Sequence, residues 1–432
     1  MSLDKYLEKL REICRKLNNE IPLFSSISET GDEGYERKFD RIGVCCCLLG
    51  IGLMASCRSQ QPQIDRIYEE GVEVVLNHLQ PYVLPGVPSS LLLEEDFSID
   101  TESEEAMAMG LFEINDFAVD SESNIYLAQR PKPDRAVIKI DPTGKFITSF
   151  GRKGQGPGEF QSSPGIEIDE GDHLIAENVS GGELYVFDKE GFLLREIKPD
   201  RTLLYFGCLV TGKYLLGWQT RDPEKGVFRN DFGISNESIS DIYKFQSCEF
   251  DDPITAPRFN AAMGSFAIGA SDTNIFFGDS NKGYEIHVFD LKGKLVKKIR
   301  KEFRPVPVED EYRRLVKKLM EKRGIRGKKL LAKMYWPSHK PPFRRLFTDT
   351  SGRLYVMTNE RERERSYWHD IFTREGIFIG RIRLDNVKIN YYEGERYNDF
   401  VLRVMVRGNR LYCLREKDSG YVALTIYKMN WN

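Results

Sequence analysis

The chain of 432 residues is 41% hydrophobic and 12% aromatic, which is enough apolar material to build a large core. Charged residues make up 30% of it but the net charge at pH 7 is only −3, so the composition argues against a nucleic-acid-binding protein. The cysteines beyond residue 57 lie far apart and histidines number only five, which indicates neither a zinc site nor a disulfide framework.

Residues 1–40 carry apolar side chains at heptad spacing, which predicts a short amphipathic helix. These side chains are Leu3, Leu7, Leu10, Cys14 and Leu17. Two explanations for the segment stay open, because export signals normally begin at the initiator methionine. Either translation starts downstream of Met1, or a cytoplasmic tail precedes a membrane anchor.

Residues 41–57 have the three parts of a secretory signal. Arg41 follows other basic residues and precedes an apolar run over 42–56, which ends in small residues before Cys57. This run is shorter than the roughly 20 residues that an α-helix needs to cross a bilayer. The small residues before the cysteine resemble the lipobox of bacterial lipoproteins, and the resemblance implies that an acylated Cys57 begins the mature protein. An uncleaved anchor and a buried core helix are the alternatives.

Residues 58–90 are predicted to be a linker to the folded part of the chain, which we expect to span 91–432. A pattern of four strands recurs there six times, with about 40–50 residues in each copy. The clear copies have an Asp-x-x-Gly turn between their third and fourth strands, for example from Asp141 to Gly144. Asp can bond its own backbone in such a turn and Gly tolerates positive φ. The repeat predicts an all-β fold, a six-bladed β-propeller.

The ring of blades needs a device that joins its two ends. The last copy reaches the C-terminus without a fourth strand, whereas an extra strand over 91–99 lies just before the first copy. We predict that this N-terminal strand pairs with the strand over 421–427 and completes blade 6. Such pairing removes the exposed edges that invite aggregation.

A glycine-rich segment, 150–160, leads into Pro164 and Gly165 at the start of the second copy. It resembles the joint between NHL repeats. The wider pattern over 68–432 is similar to that of bacterial six-bladed β-propeller lipoproteins of the NHL-like kind. The resemblance implies an architecture and a location in the cell envelope, and it implies no chemistry.

Candidate ligand-binding residues lie on the face that carries the second-to-third strand loops and the joints between blades. These loops are long and variable, and repeat scaffolds usually place function on such a face. We predict ligand contacts at the channel mouth from Arg130, Asn178, Trp218, Asn281 and Arg361. The simpler interpretation of each residue is a solvated loop position. Possible channel-side acids, which the sequence does not rank, are Glu113, Asp116 and Glu167.

Residues 306–340 interrupt the repeat between the fourth and fifth copies. Apolar side chains at helical spacing from Tyr312 to Met320 predict a helix, and a second short helix follows. The stretch 301–345 has fifteen Lys and Arg against five Asp and Glu, whereas 94–105 has seven acidic residues and no basic one. Two interpretations stay open: a basic surface for an anionic membrane, glycan or partner, and a helical cap whose charges face water.

The leading functional hypothesis is a lipid-anchored binding module in the bacterial cell envelope, facing the periplasm or the exterior. Its partners would be the membrane, through the lipid anchor, and a protein, peptide or glycan ligand, with no nucleic acid. The hypothesis follows from the export signal together with a sequence in which no catalytic residue or cofactor motif is recognised.

The alternative hypothesis is a propeller enzyme, lactonase-like or lyase-like, with a metal site at the central channel. A peptide-amidating lyase would need several channel histidines, yet His173 and His287 fall on second and third strands. A calcium ion held by carboxylates and Asn is compatible with the lactonase-like version, although no sequence motif supports it.

Lipidation of Cys57 is directly testable. We expect mass spectrometry of the mature protein to find an acylated Cys57 at its N-terminus, because acylation precedes cleavage in the lipoproteins that the signal resembles. Cys57→Ala should release the protein from the membrane fraction. An intact and unmodified segment over 1–57 would contradict this prediction.

Overall fold

The computed structural model describes residues 64–178, 182–261, 266–322, 324–362, 366–387 and 404–432. The predictions for 1–40 and for the signal over 41–57, with lipidation at Cys57, lie outside these residues. Within the described ranges, none of the helices has the length and apolar character needed to span a bilayer.

The described chain begins with a β-hairpin of strands β1 (Asp65–Glu69) and β2 (Val72–Asn77). Its turn residues Glu70 and Gly71 have positive φ, a backbone geometry that matches the twist of a tight hairpin. Strand β2 pairs in parallel with the last strand of the fourth blade and widens that sheet to six strands. Within the segment predicted to be a linker, 58–90, residues 65–77 therefore form a hairpin whose side chains Val74 and Val75 are fully buried.

The first half of the propeller follows the closing strand β3 (Leu91–Asp100) and a short helix α1 (Glu104–Ala108). Blade 1 has strands β4 (Asp116–Val119), β5 (Ile125–Ala128), β6 (Val137–Ile140) and β7 (Phe146–Phe150). The next joint contains the parallel pair β8 (Arg152–Lys153) and β9 (Glu159–Phe160). Blade 2 has β10 (Gly165–Ile168), β11 (Leu174–Asn178), β12 (Glu183–Phe187) and β13 (Leu193–Ile197). Blade 3 has β14 (Leu203–Cys208), β15 (Tyr214–Asp222), β16 (Val227–Ser235) and β17 (Ile242–Asp251).

The second half contains the other three blades and the predicted helical insert. After β18 (Phe259–Asn260), blade 4 has β19 (Phe266–Ala270), β20 (Asn274–Asp279), a 3₁₀-helix (Ser280–Lys282), β21 (Glu285–Asp290) and β22 (Leu295–Lys301). The insert has helices α2 (Asp310–Lys322) and α3 (Gly324–Lys333) and strand β23 (Met334–Tyr335). Blade 5 has β24 (Phe343–Thr348), β25 (Leu354–Arg361), β26 (Ser366–Phe372) and β27 (Phe378–Asp385). Blade 6 has β28 (Val404–Arg407), β29 (Arg410–Glu416) and β30 (Val422–Trp431).

Strand β3 completes blade 6 by pairing antiparallel with β30, from Leu91 opposite Trp431 to Asp100 opposite Ala423. The two ends of the chain thus share one sheet, and the predicted closure is confirmed. With β3 in place the structure has six four-stranded blades, as the repeat predicts. Ring closure leaves no blade without a neighbour on either side.

The turns between third and fourth strands form as the sequence predicts. Asp141 Oδ1 accepts hydrogen bonds from the backbone N–H groups of Thr143 (2.8 Å) and Lys145 (3.0 Å), and Gly144 has a φ of 91°. Asp188 in blade 2 and Asp290 in blade 4 accept the corresponding backbone bonds. The short Asp side chain thus accepts hydrogen bonds from backbone N–H groups that have no backbone acceptor in the tight turn.

Buried side chains fill the space between neighbouring blades. Successive residues of a strand face opposite sides of its sheet, so β11 sends Leu174 towards blade 1 and Ile175 towards blade 3. The same packing joins blade 6 to blade 1, where Leu424 and Ile140 belong to one cluster. The core is therefore a closed series of six interfaces between blades.

The glycine-rich joint between blades 1 and 2 folds around Glu159. This carboxylate accepts hydrogen bonds from Gly156 N (2.9 Å) and Arg152 Nε (2.7 Å), while the adjacent Phe160 is fully buried. A Cβ at Gly154 would lie 1.8 Å from Oε2 of Glu159. The glycines therefore allow a tight joint, which is a structural use of this sequence.

A buried ionic network joins blades 4 and 5. Asp370 accepts a hydrogen bond from the Tyr284 hydroxyl (2.8 Å), and its carboxylate lies 2.6 Å from Arg381 Nε and 3.4 Å from Lys301 Nζ. Burial lowers the pKa of Lys301 and raises the pKa of Tyr284. Removing one partner from such a network leaves an uncompensated buried charge, so we assign the network a structural role.

The contribution of ring closure to stability can be measured with Ile99→Ala. Ile99 is buried between blades 6 and 1 and lies opposite Leu424, so the truncation should lower the free energy of unfolding by about 2–5 kcal/mol. The control is Leu92→Ala on the same strand, because Leu92 is 60% exposed. Urea unfolding should separate the two variants, and equal midpoints would contradict the importance of this interface.

Candidate functional site

The strand order defines two faces of the ring. Inner strands begin next to the joints between blades, and second strands end there because they run antiparallel. We call this side the joint face and the opposite side, with the short turns, the turn face. Asp116 and Gly165, the first residues of β4 and β10, therefore lie at the joint-face end of the channel.

Asp116 connects the inner strands of blades 1 and 2. It is 5% exposed, and its Oδ2 accepts a hydrogen bond from the backbone N–H of Ile166 (3.0 Å). Its Oδ1 accepts a bond from Phe117 N (2.9 Å). The carboxylate is thus fixed in place at the channel wall by backbone donors of both blades.

Glu177 is the second carboxyl group at this end of the channel. It lies on β11 directly opposite Gly165. A Cβ added at Gly165 would lie 3.5 Å from Oε2 of Glu177 and 3.8 Å from Oδ2 of Asp116, so both groups border the space that the glycine leaves open. We refer to Asp116 and Glu177 as the carboxyl pair.

Burial, and secondly the negative charge of Asp116, raises the pKa of Glu177 to about 7. A neutral carboxyl group donates one hydrogen bond, whereas an ionised one only accepts. Near neutral pH the carboxyl pair therefore offers both donor and acceptor oxygen atoms at one place.

Glu167 is a further acid on an inner strand, on the side of blade 2 that faces blade 3. It lies two residues after Gly165 on β10 and so faces the same side of the sheet. Burial is the main cause of the raised pKa of Tyr205 and of Cys208 on β14, and the charge of Glu167 adds to it. Of the three acids considered from sequence, Asp116 and Glu167 lie on inner strands, whereas Glu113 precedes β4 and accepts a hydrogen bond from Arg130 N (2.8 Å).

The predicted ligand residues of blades 1 and 2 differ in exposure. Arg130 is exposed, and its guanidinium Nε lies 3.7 Å from the Glu113 carboxylate. Asn178 is buried and donates from Nδ2 to Glu183 (3.0 Å). Its Oδ1 has no hydrogen-bond partner among the described residues.

The other three predicted residues are distributed over blades 3 to 5. Trp218 packs on the boundary between blades 2 and 3, with the Arg201 guanidinium 4.9 Å from its ring centroid. Asn281 is exposed on the 3₁₀-helix of blade 4, and its backbone N–H donates to Asp279 (3.1 Å). Arg361 forms an ion pair with Glu309 at the start of the insert. Ligand binding by these five residues stays a prediction.

The helical insert is attached to the joint face by contacts at both of its ends. Glu309 pairs with Arg361 of blade 5, while β23 pairs in parallel with β18, which precedes blade 4. Lys333 Nζ donates to the carbonyl of Ile254 (2.7 Å) in the joint after blade 3. The insert therefore covers the side of the joint face that belongs to blades 3 to 5.

Blade 3 has an open groove at the far end of its long β15–β16 hairpin. The lining residues include Thr220, Arg221, Glu224, Arg229 and Glu249. Arg221 also pairs with the fully buried Asp252 (2.6 Å). This groove is separate from the carboxyl pair, and its charges are of both signs.

No group of three or more His, Cys, Asp or Glu side chains in the described ranges is arranged to hold a metal ion.

Glu177 was not among the candidates from sequence, although the sequence contains a signal for it. It follows the apolar residues Leu174, Ile175 and Ala176 on a strand whose neighbours are buried. An acidic residue at the end of such a strand indicates a carboxyl group held in an apolar setting. Its distance from Asp116 depends on the packing of two blades, which a linear pattern does not reveal.

Comparisons with known proteins support the fold. A family model described as DUF5128, a 6-bladed beta-propeller, matches residues 120–266, from the first turn of blade 1 to the start of β19. No curated protein is significantly similar to the chain in sequence. The matched family model and the six observed blades show that this protein is a six-bladed β-propeller.

Several solved structures resemble the chain at low identity. A Bacteroides fragilis protein described as exported has 11% identity and a TM-score of 0.47, with 83% of this chain and 99% of that chain covered. A member of the DUF4221 family from Bacteroides vulgatus has 10% identity and a TM-score of 0.46, with coverages of 80% and 100%. A gluconolactonase from Xanthomonas campestris has 10% identity and a TM-score of 0.38, with coverages of 80% and 99%.

The raised pKa of Glu177 has a measurable consequence for stability. From the ordinary value of 4.5 up to about 7, the folded protein binds more protons at this site than the unfolded chain, so the free energy of unfolding falls as the pH rises. Above pH 7 the full decrease in the free energy of unfolding from this group is about 3 kcal/mol. We expect Glu177→Gln to abolish this decline in urea unfolding between about pH 5 and about pH 8.

Glu170→Gln is the control for that measurement, because Glu170 is exposed on the turn face of the same blade. It should retain the pH dependence of the unsubstituted protein. If the free energy of unfolding changed with pH in parallel for the unsubstituted protein and the Glu177 variant, Glu177 would titrate in the ordinary range.

Proposed function

We propose that this protein is a lipid-anchored, extracytoplasmic binding module that holds its ligand at the joint-face end of the central channel. The anchor would be Cys57, and the location would be the bacterial cell envelope, facing the periplasm or the exterior. The sequence signal supports both statements, because a basic flank, an apolar run and small residues before a cysteine are typical of exported lipoproteins.

The observation that carries the proposal is the carboxyl pair. Two carboxyl groups from different blades border one space at the channel end, and this space is open because Gly165 has no side chain. Ligand sites in proteins commonly combine a concave position with a few convergent polar groups. The carboxyl pair supplies such polar groups, and the proposal places the concave position at the end of the propeller channel.

The chemistry of the carboxyl pair indicates the class of ligand. Asp116 has its oxygen atoms on backbone donors, whereas Glu177 has a raised pKa whose causes are burial and the neighbouring acid. A group that presents hydrogen-bond donors, such as a sugar hydroxyl or a peptide amine, would satisfy oxygen atoms that are partly removed from water. We therefore infer a glycan or peptide ligand with such donors next to Gly165.

One observation favours a second candidate, a propeller enzyme. A carboxyl group with a pKa of about 7 can give and take a proton near neutral pH, as a general acid or base must. In that case Glu177 would act on a substrate bound at the same place. Turnover of a ligand, abolished in Glu177→Gln, would distinguish this candidate from a binding module.

The binding proposal can be tested with a panel of soluble oligosaccharides and short peptides. For any ligand that the full chain binds in calorimetry, we expect Asp116→Asn and Glu177→Gln each to weaken the affinity at least about 10-fold, because each removes a hydrogen bond to a charged or partly charged group. Glu170→Gln on the turn face is the matched control and should bind as the unsubstituted protein does. A ligand whose affinity is unchanged in both channel variants would contradict the proposed position.

A further inference from the structure

We propose that the two-helix insert, α2 and α3, docks the propeller on an anionic phospholipid surface. This inference rests on the proposed lipid anchor for its choice of partner. It concerns a different surface from the carboxyl pair, and it can be tested without acylation of the protein.

The exposed surface of the two helices is strongly basic. The exposed cationic side chains on the helices include Lys317, Lys318, Lys322, Arg326, Lys328 and Lys329. None of these six forms an ion pair with a described residue. The exposed acids are Asp310 and Glu311 in the first turn of α2, and Glu321. Clusters of Lys and Arg next to a membrane are attracted to its anionic headgroups.

Contacts on the other side of the insert hold this basic surface in a defined orientation. Met320 is 7% exposed, and Tyr312 packs edge-to-face on Trp336 with ring centroids 6.2 Å apart. The Lys340 ammonium lies 5.4 Å from the Tyr312 ring centroid and 3.7 Å from the Glu309 carboxylate. The apolar side of the helices is therefore used in packing, and the charges face outwards.

The described part of the chain begins beside the insert. Asp65, the first residue of β1, lies opposite Leu76 and so at the joint-face end of blade 4. The chain enters the insert from this end of blade 4, because β22 finishes at Lys301 next to Asn77. Only seven residues lie between Cys57 and Asp65 in the sequence, and a chain of this length spans at most about 29 Å.

The distribution of charge over the joint face indicates which side of the ring would face the membrane. The basic insert lies over blades 3 to 5, whereas α1, with exposed Glu104 and Glu105, lies between blades 6 and 1. An anionic surface attracts the first region and repels the second. The blade 4 side of the ring would therefore face the membrane, and the carboxyl pair on blades 1 and 2 would stay open to solvent.

The test uses the full chain with Cys57→Ala, so that no acyl group contributes to binding. We expect this protein to sediment with phosphatidylglycerol-containing vesicles but not with phosphatidylcholine vesicles, and to detach as the salt concentration rises. The joint change Lys317→Glu, Lys318→Glu, Lys328→Glu and Lys329→Glu should lower the affinity by about 100-fold or more.

A charge-matched control lies on the turn face. It combines Lys145→Glu, Lys189→Glu, Lys292→Glu and Lys294→Glu, four exposed lysines at turns between third and fourth strands. This variant has the same net charge and should bind vesicles within about two-fold of its parent, because its substitutions lie away from the insert. Unchanged urea midpoints in both variants would show that the fold is retained.

Three outcomes would overturn the inference: no binding to anionic vesicles, equal loss of binding in both quadruple variants, or tighter binding to a soluble polyanionic glycan than to the vesicles. The last outcome would assign the basic surface to a glycan. None of these outcomes depends on acylation. The mass of the mature protein would show separately whether the lipid anchor is absent.

Discussion

Pairing of β3 with β30 is the interaction on which the rest of the structure depends. It joins the two ends of the folded chain in one sheet and covers an edge of blade 6 that would otherwise be exposed. It also completes the buried interface between blades 6 and 1. Only a closed ring holds the inner strands at fixed positions around a channel, so the position of every channel residue follows from this pairing.

Two ionisable groups in the ring differ in how their charge is accommodated. Asp370 is surrounded by Tyr284, Lys301 and Arg381, so its charge is compensated where blades 4 and 5 meet. Burial, and secondly the like charge of Asp116, raises the pKa of Glu177. A buried charge with partners of opposite sign has a structural explanation, whereas a carboxyl group with a strongly shifted pKa is typical of functional sites.

The additions to the basic propeller pattern are concentrated around blade 4. The β1–β2 hairpin widens its sheet, and the insert leaves from its last strand. Both additions lie on the side of the ring opposite blade 1, because six blades in order place the first and fourth across the channel from one another. The proposed membrane attachment and the proposed ligand site would thus lie in separate regions of the ring, and neither requires a change in its core.

The sequence determined the number of blades, the closing strand, the turns and the two-helix insert, because each depends on local periodicity or on turn residues. Asp141 and Gly144 define their turn with neighbours in sequence alone. The same reasoning included Asp116 among three unranked acids, and it did not identify Glu177 or the hairpin within 58–90. These two features depend on tertiary packing: the hairpin pairs with a strand more than two hundred residues away, and Glu177 differs from an ordinary surface glutamate only through burial and the carboxylate of another blade.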